Sequence, residues 1–388
     1  MKILHVVPSY LPATRYGGPI HSVHGLCKAL VAAGHEVTVF TTNVDGPDDS
    51  DVPLGEAVDL DGVQVWYFPS TWLRRLYWAP RMMQPLRQQI SGFDIVHLHS
   101  VFLWPTWAAA RAARKAGVSY LIAPRGMLVR DLLNKKSRWL KTTWIRLIER
   151  RNLEWASGIH VTAPLEQQEI DQFVFRLPAF YYVPNGIEPP TLETLAAQKS
   201  ELVPDFPYVL FLSRINWKKG LDRLMRAWKD VPGAQLIVAG NDEENYQQEI
   251  QRIADAEGVA SRVHFVGPVA GADKWLLYRN AELFVLPSHS ENFGIVVLEA
   301  MAMGCPVVVT PEVGLAQTVA DADCGRVVDG EPAALAEAIK ELLAQPERRA
   351  SMARKGRETA LRDFSWGGVA GRMEAAYGDV LQAETTAR

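Results

Sequence analysis

Short apolar runs alternate with helix-period stretches along almost the whole chain. Ile3–Val7, Glu36–Thr41, Val63–Phe68, Ile95–Leu98, Tyr120–Ile122 and Gly158–Thr162 read as strands. Between them, stretches such as Ile20–Ala33 and Thr106–Ala116 place apolar residues every three or four positions. That alternation predicts βαβ units on a parallel sheet. Gly34 follows the first helix where a C-terminal cap is expected. The rhythm breaks over residues 184–207, where Pro184-Asn185-Gly186-Ile187-Glu188-Pro189-Pro190 and Val203-Pro204-Asp205-Phe206-Pro207 read as a linker. It then restarts, with Tyr208–Leu212, Gln235–Ala239, Val263–Val266, Leu283–Leu286 and Val307–Thr310 as strands. From Pro332 the pattern is helical, broken at Asp363-Phe364-Ser365-Trp366-Gly367-Gly368. Two doubly wound α/β domains are the economical solution. Ligands of such sheets sit beyond the carboxyl ends of the strands, so two facing domains would enclose a cleft.

The size agrees: 388 residues are too many for one ordinary core and comfortable for two. With 48% hydrophobic and 22% charged residues and a mean hydropathy of −0.05, the chain is neither disordered nor polytopic in a membrane. No run approaches the roughly 20 apolar residues of a membrane span, and the N-terminus reads as a first strand, not a signal peptide. Cys27, Cys305 and Cys324 are too scattered for a disulfide scaffold or a cysteine-rich zinc module. They read as small buried apolar residues in a reducing compartment. The net charge of −3 hides an asymmetry. Residues 64–160 carry sixteen Lys/Arg against four Asp/Glu, an excess of +12 that leaves −15 elsewhere.

Four segments carry chemistry. The strongest is Glu291-Asn292-Phe293-Gly294-Ile295-Val296-Val297-Leu298-Glu299, which follows a strand and opens an apolar helix. A helix start at Phe293-Gly294 offers free N–H groups and a positive dipole end to phosphate. Glu299 is expected about two turns in, able to accept from ribose hydroxyls. The second is Ser213-Arg214-Ile215-Asn216-Trp217-Lys218-Lys219-Gly220, where a guanidinium and an ammonium in one strand-to-helix loop form an anion clamp. The third is Arg15-Tyr16-Gly17-Gly18-Pro19 after the first strand, where Gly17 and Gly18 permit close backbone approach. The fourth is Asp94-Ile95-Val96-His97-Leu98-His99, with both histidines on one strand face and His99 nearer the mouth. No Gly-x-Gly-x-x-Gly occurs, so neither half is a standard dinucleotide site.

Together with Pro184-Asn185-Gly186, these segments resemble glycosyltransferase family 4, retaining enzymes of the GT-B fold, over nearly the whole chain. The resemblance implies sugar transfer from a nucleotide-sugar donor (UDP- or GDP-linked) to an acceptor hydroxyl. It implies that Glu291 meets the donor sugar, Glu299 the ribose, and Arg214 and Lys219 the departing diphosphate. It also implies donor contacts from the Asn292-Phe293-Gly294-Ile295 segment and from Gly17-Gly18, and a catalytic place for His99 beside the reacting sugar. Asn292 departs from the family pattern, where a smaller residue is usual, and leaves the donor sugar open. The implied displacement is front-face, with the leaving phosphate helping to take the acceptor proton. The implied domains are 1–185 joined by a C-terminal helix over 368–388, and 190–367 for the nucleotide sugar.

Each segment also has a plainer reading. Glu291 and Glu299 could serve the helix dipole, the glycines a turn, and Lys218 the surface; His97 reads as a packed strand residue, and His5, His21, His24 and His35 as structural. The Asp-x-Asp triplets 49–51 and 59–61 lie in an acidic stretch expected to be a solvated loop, and Asp321-Ala322-Asp323 is the third; no metal or other cofactor is expected. Residues 125–151 hold nine basic and two acidic residues, and Lys135, Lys136, Arg138, Trp139 and Lys141 are candidates for contact with an anionic membrane surface. A second basic-aromatic stretch is Trp72-Leu73-Arg74-Arg75-Leu76-Tyr77-Trp78. The reading that follows is a cytoplasmic enzyme, peripheral on the inner membrane face, acting on a lipid-linked saccharide in surface polysaccharide synthesis. The alternatives are a soluble GT-B enzyme, such as a sugar-nucleotide epimerase or glucoside synthase, and a basic-patch polyanion-binding protein. Nucleic acid is disfavoured as a partner, because −15 elsewhere repels phosphate chains.

Overall fold

The computed structural model describes residues 1–13, 15, 18–128, 144, 148–173, 175–242 and 244–387. The chain divides into two units, Met1–Gly186 with Trp366–Arg388, and Ile187–Ser365.

The first unit is built on an eight-stranded sheet. Its strands are β1 (Lys2–Val6), β2 (Glu36–Thr42), β5 (Ala57–Leu60), β6 (Val63–Phe68), β7 (Ile95–His99), β8 (Tyr120–Ala123), β9 (Gly158–Val161) and β10 (Phe180–Tyr182). β3 (Val44–Asp45) and β4 (Asp48–Asp49) form a separate small hairpin. The order is β10-β9-β8-β7-β1-β2-β6-β5, parallel except where β5 pairs antiparallel with β6. Alternation sends Leu4, Val6, Phe40, Val96, Leu98 and Ile122 to one face, in one core with Trp104, Ala108, Ala109 and Ala112 of the helix Trp104–Ala116. The other face holds Ile3, Val37, Val39, Val65, Ile95 and Leu121. It packs with Val23, Leu26, Cys27 and Leu30 of the helix Gly18–Ala32, and with Val369, Met373, Tyr377 and Val380 of the C-terminal helix Trp366–Ala387. These helix residues recur at three- and four-residue spacing, which is why each helix lays one stripe on the sheet.

The second unit holds six parallel strands: β11 (Tyr208–Leu212), β12 (Gln235–Ala239), β13 (Val263–Gly267), β14 (Leu283–Leu286), β15 (Val307–Val309) and β16 (Gly325–Val327). Their order is β13-β12-β11-β14-β15-β16. β11, β14 and β15 are buried at every position, as expected of strands covered on both faces.

Both units thus have the expected doubly wound α/β form. The chain departs from the predicted elements mainly at short edges. β5, β10 and β16 have three or four residues, too few for a period to emerge. β5 and the β3–β4 hairpin lie inside the acidic stretch read as a plain loop, and Leu192–Ala196 forms a short helix inside the linker, capped by the Thr191 side chain.

The strand order reverses between β1 and β7 in the first sheet, and between β11 and β14 in the second. Those are the positions where an open parallel sheet leaves a crevice at its carboxyl edge. The histidine strand, the Arg214–Lys219 loop and the loop leading to Glu291 all stand at these two points.

Candidate active site

In the second unit, three strand-end loops are tied to one another. The loop after β11 turns through a short 3-10 segment, Trp217–Lys219, capped by Asn216, whose side chain accepts from the Lys218 amide at 3.1 Å. Gly220 follows at φ 66°, and a Cβ there would lie 1.9 Å from the Pro287 carbonyl oxygen. Only glycine permits both the left-handed turn and that approach. The His289 amide donates to the Lys218 carbonyl at 2.7 Å, joining the loop after β14 to the loop after β11. The loop after β15 is joined in turn: the Glu291 amide donates to Glu312, the Gly314 amide to Glu291 and the Leu315 amide to Phe293, at 2.9, 2.9 and 3.0 Å.

This frame sets the candidate side chains. Lys219 is buried, and its ammonium donates to the Glu291 carboxylate. Arg214 is exposed on the same loop. Lys218, read from the sequence as a surface charge, is half-buried. Burial first, and then the charges of Lys219 and Arg214, hold its ammonium below the usual lysine range. A third cation therefore belongs to the group, and the signal for it was its place beside Lys219 in a capped turn. Three like charges held close favour an arriving anion.

The helix after β14 begins at Ile295, with Gly294 at φ 93° before it and Phe293 buried. Glu291 stands ahead of the helix, bridged to Val313, so Glu299 lies one turn in, not the two that the spacing suggested. Its carboxylate accepts from Lys274 at 2.6 Å and from the Tyr278 hydroxyl at 3.1 Å. The backbone from Phe293 to Ile295 leads into the helix start, where the first N–H groups of a helix lack intrahelical partners, and Asn292 lies in the same turn.

In the first unit, sheet register sets His5 of β1 directly beside His97 of β7. His97, His99 and His5 are fully or almost fully buried. The His5 Nδ1–His99 Nε2 distance is 2.9 Å, and Arg125, just past β8, lies 3.2 Å from His99 Nδ1. His97 contacts the Tyr377 hydroxyl at 2.8 Å and His160 at 3.1 Å. Burial, reinforced by Arg125, lowers the His5 and His160 pKa values to about 3, and burial also holds His97 and His99 well below the usual range. His5, read as structural from the sequence, is therefore part of the same cluster as His99. The nitrogens of His5, His97 and His99 come within 4.8 Å of one another, a spacing that suits a metal. Both nitrogens of His97 and His99 already take part in hydrogen bonds to neighbouring side chains, which competes with ligation. Gly18 begins the helix after β1, while Gly17 lies outside the described residues. Lys135, Lys136, Arg138, Trp139 and Lys141 also lie outside them.

The acidic triplets have partners of their own. Asp49 meets Arg74, Asp61 meets His24 at 2.9 Å, and Asp323 meets Lys355 at 2.7 Å. The thiols of Cys27, Cys305 and Cys324 are buried, and burial pushes those of Cys27 and Cys324 up to about 12.

Two family models match the chain: "Glycosyl transferase 4-like domain" over residues 17–186 and "Glycosyl transferases group 1" over residues 193–359. D-inositol 3-phosphate glycosyltransferase of Mycolicibacterium smegmatis is 35% identical, over 96% of this chain and 89% of that protein. The chain belongs to the family 4 glycosyltransferases. The chain is 26% identical to the GDP-mannose-dependent alpha-(1-6)-phosphatidylinositol monomannoside mannosyltransferase of Mycobacterium tuberculosis over the full length of both. Among solved structures, sucrose-phosphate synthase of Thermosynechococcus elongatus superposes with a TM-score of 0.76, covering 98% of this chain and 99% of that one at 24% identity. That likeness gives the GT-B fold of this glycosyltransferase.

Proposed function

We propose that this glycosyltransferase takes its sugar from a UDP- or GDP-linked donor and transfers it with retention, without a metal. The observation that carries the reading is the cationic group Arg214, Lys218 and Lys219 beside Glu291, held on three tied loops at the strand-order reversal of the second unit. Glycosyl transfer from a nucleotide sugar needs negative charge stabilised on the departing diphosphate. Fixed cations and a helix start supply that stabilisation without reorganising during the reaction. In this role Lys219 exchanges Glu291 for the diphosphate, which leaves the Glu291 carboxylate to accept from sugar hydroxyls. Glu299, set by Lys274 and Tyr278, accepts from the ribose, and the amides of Phe293, Gly294 and Ile295 meet phosphate or sugar. Gly17, Gly18 and His99 are the contributions of the first unit. The acceptor proton goes to the leaving phosphate.

The name of the mycobacterial mannosyltransferase, which includes phosphatidylinositol monomannoside, supports a lipid-linked acceptor here, and with it a peripheral place on an anionic membrane. No helix among the described residues is long and apolar enough to cross a membrane. A hydrolysis screen of UDP- and GDP-sugars tests the donor: slow release of one sugar is expected, unaffected by EDTA and with the anomer retained. Co-sedimentation with anionic liposomes, lost at high salt, tests the membrane.

A further inference from the structure

Four buried imidazoles of the first unit form two hydrogen-bonded rows, and the partners at the row ends reveal where the protons lie. In one row, His160 Nε2 faces the Val183 carbonyl at 2.8 Å. A carbonyl only accepts, so this nitrogen carries the hydrogen and neutral His160 accepts at Nδ1. The atom facing Nδ1 at 3.1 Å is His97 Nε2, which therefore donates. His97 Nδ1 is left to accept from the Tyr377 hydroxyl at 2.8 Å. In the other row, Arg125 Nη2 lies 3.2 Å from His99 Nδ1. A guanidinium only donates, so His99 accepts at Nδ1. Its proton sits on Nε2 and is donated to His5 Nδ1 at 2.9 Å. His5 then carries its proton on Nε2, a buried atom without a hydrogen-bond partner among the described residues.

We propose that Arg125 is a positioning residue for His99, holding its ring neutral with the proton on Nε2 and thereby directing the row toward His5. A second proton on His99 would point an N–H at a guanidinium N–H. Arg125 is itself fixed, because its Nη1 donates to Asn185 Oδ1 at 2.9 Å within the Pro184-Asn185-Gly186 turn. The next residue's amide donates to Glu166 at 2.7 Å, and the buried Glu166 carboxylate balances the Arg125 charge. The other groups facing this pocket are His5 on β1, His97 on β7, His160 on β9, Cys27 on the first helix and Tyr377 on the last. Burial and the Arg125 charge act in the same direction as the geometry, against protonation of His99.

This deepens the glycosyltransferase reading and rests on it for its bearing on turnover. With Nδ1 taken by Arg125 and Nε2 acting as donor, His99 offers no lone pair to an acceptor hydroxyl. Its part is a fixed dipole, and the row ends on His5 Nε2–H, a donor without a hydrogen-bond partner among the described residues.

The experiment is long-range 1H–15N correlation on the full chain with 15N-labelled histidine, the His99 signals being assigned with His99→Gln. The wild-type ring is expected as the Nε2–H tautomer from about pH 7.5 to about pH 5.5, a range that an ordinary imidazole would titrate across. Arg125→Leu, which removes the donor facing Nδ1, is expected to let the neutral ring populate the Nδ1–H tautomer, and Arg125→Lys, which returns a donor, to restore Nε2–H. With an identified donor, Arg125→Leu is expected to lower kcat by about tenfold with KM little changed. A wild-type His99 protonated on Nδ1 overturns the proposal. So does an Arg125→Leu protein whose His99 tautomer matches wild type. Should Arg125→Leu not fold, Asn185→Ala, which removes the Arg125 anchor, and the wild-type spectrum decide it. The spectra need no turnover, so failure of the donor screen leaves this test standing.

Discussion

Lys219 places its ammonium on the Glu291 carboxylate, two residues 72 apart in sequence joined at the carboxyl edge of one sheet. Each is largely withdrawn from water, at 11% and 18% side-chain exposure, so neither tolerates loss of the other. Breaking a buried pair by removing one partner costs about 3–5 kcal/mol, because the survivor is left uncompensated. The proposed chemistry adds a second consequence, since the same ammonium is the one offered to the diphosphate.

Lys219→Ala is therefore expected to lower kcat about a hundredfold or more and to lower unfolding stability. Initial-rate kinetics with the identified donor, paired with urea unfolding, measure both. Wild-type-like turnover would defeat the charge-neutralising mechanism.

Arg214→Ala separates the two effects. Arg214 is exposed, so stability is expected to change by less than about 0.5 kcal/mol while kcat again falls about a hundredfold. A loss of stability matching the Lys219 variant would place Arg214 in the fold and not in the chemistry.

Glu299 is set from two sides, by Lys274 and by Tyr278. Tyr278→Phe removes one donor and is expected to raise KM for the nucleotide sugar several-fold while kcat changes little, as loss of uniform binding does. Titration calorimetry with UDP and GDP checks it. Unchanged nucleotide affinity would dissociate Glu299 from the ribose.

The buried histidines are expected to make the protein acid-sensitive. His5 and His160 have folded pKa values near 3, against 6.5 when exposed, so between those values the unfolded chain binds more protons. Their stability contribution is complete above about pH 6.5 and is lost as the pH falls toward about 3. Each group contributes a slope of up to about 1.4 kcal/mol per pH unit. Urea midpoints measured from about pH 7 down to about pH 5 are expected to fall steeply. A flat profile would mean that the imidazoles are not buried as neutral rings.

Tyr377→Phe tests how the last helix is held. The hydroxyl meets His97 Nδ1 at 2.8 Å in a fully buried setting. Leaving that acceptor unsatisfied is expected to cost about 1–3 kcal/mol, read by urea unfolding. A change within about 0.5 kcal/mol would make the contact incidental.

Much of this protein was legible in order along the chain. Strands such as Val63–Phe68, Tyr208–Leu212 and Gln235–Ala239 are predicted to the residue, because buried parallel strands bounded by turns are strong local signals. The Arg214–Lys219 and Glu291–Glu299 segments declared themselves by lying at strand ends. What local pattern could not carry was partnership. Nothing near Glu299 in sequence shows that Lys274 and Tyr278 hold it.

The histidine rows mark the boundary most clearly. That His97 and His99 share a strand face follows from the chain alone, because side chains alternate with period two. That His5, 94 residues from His99, and His160, 63 residues from His97, complete the rows follows only from the folded sheet. Strand order and register are collective properties of the whole sheet, and a hydrogen bond between distant residues exists only once that register is set.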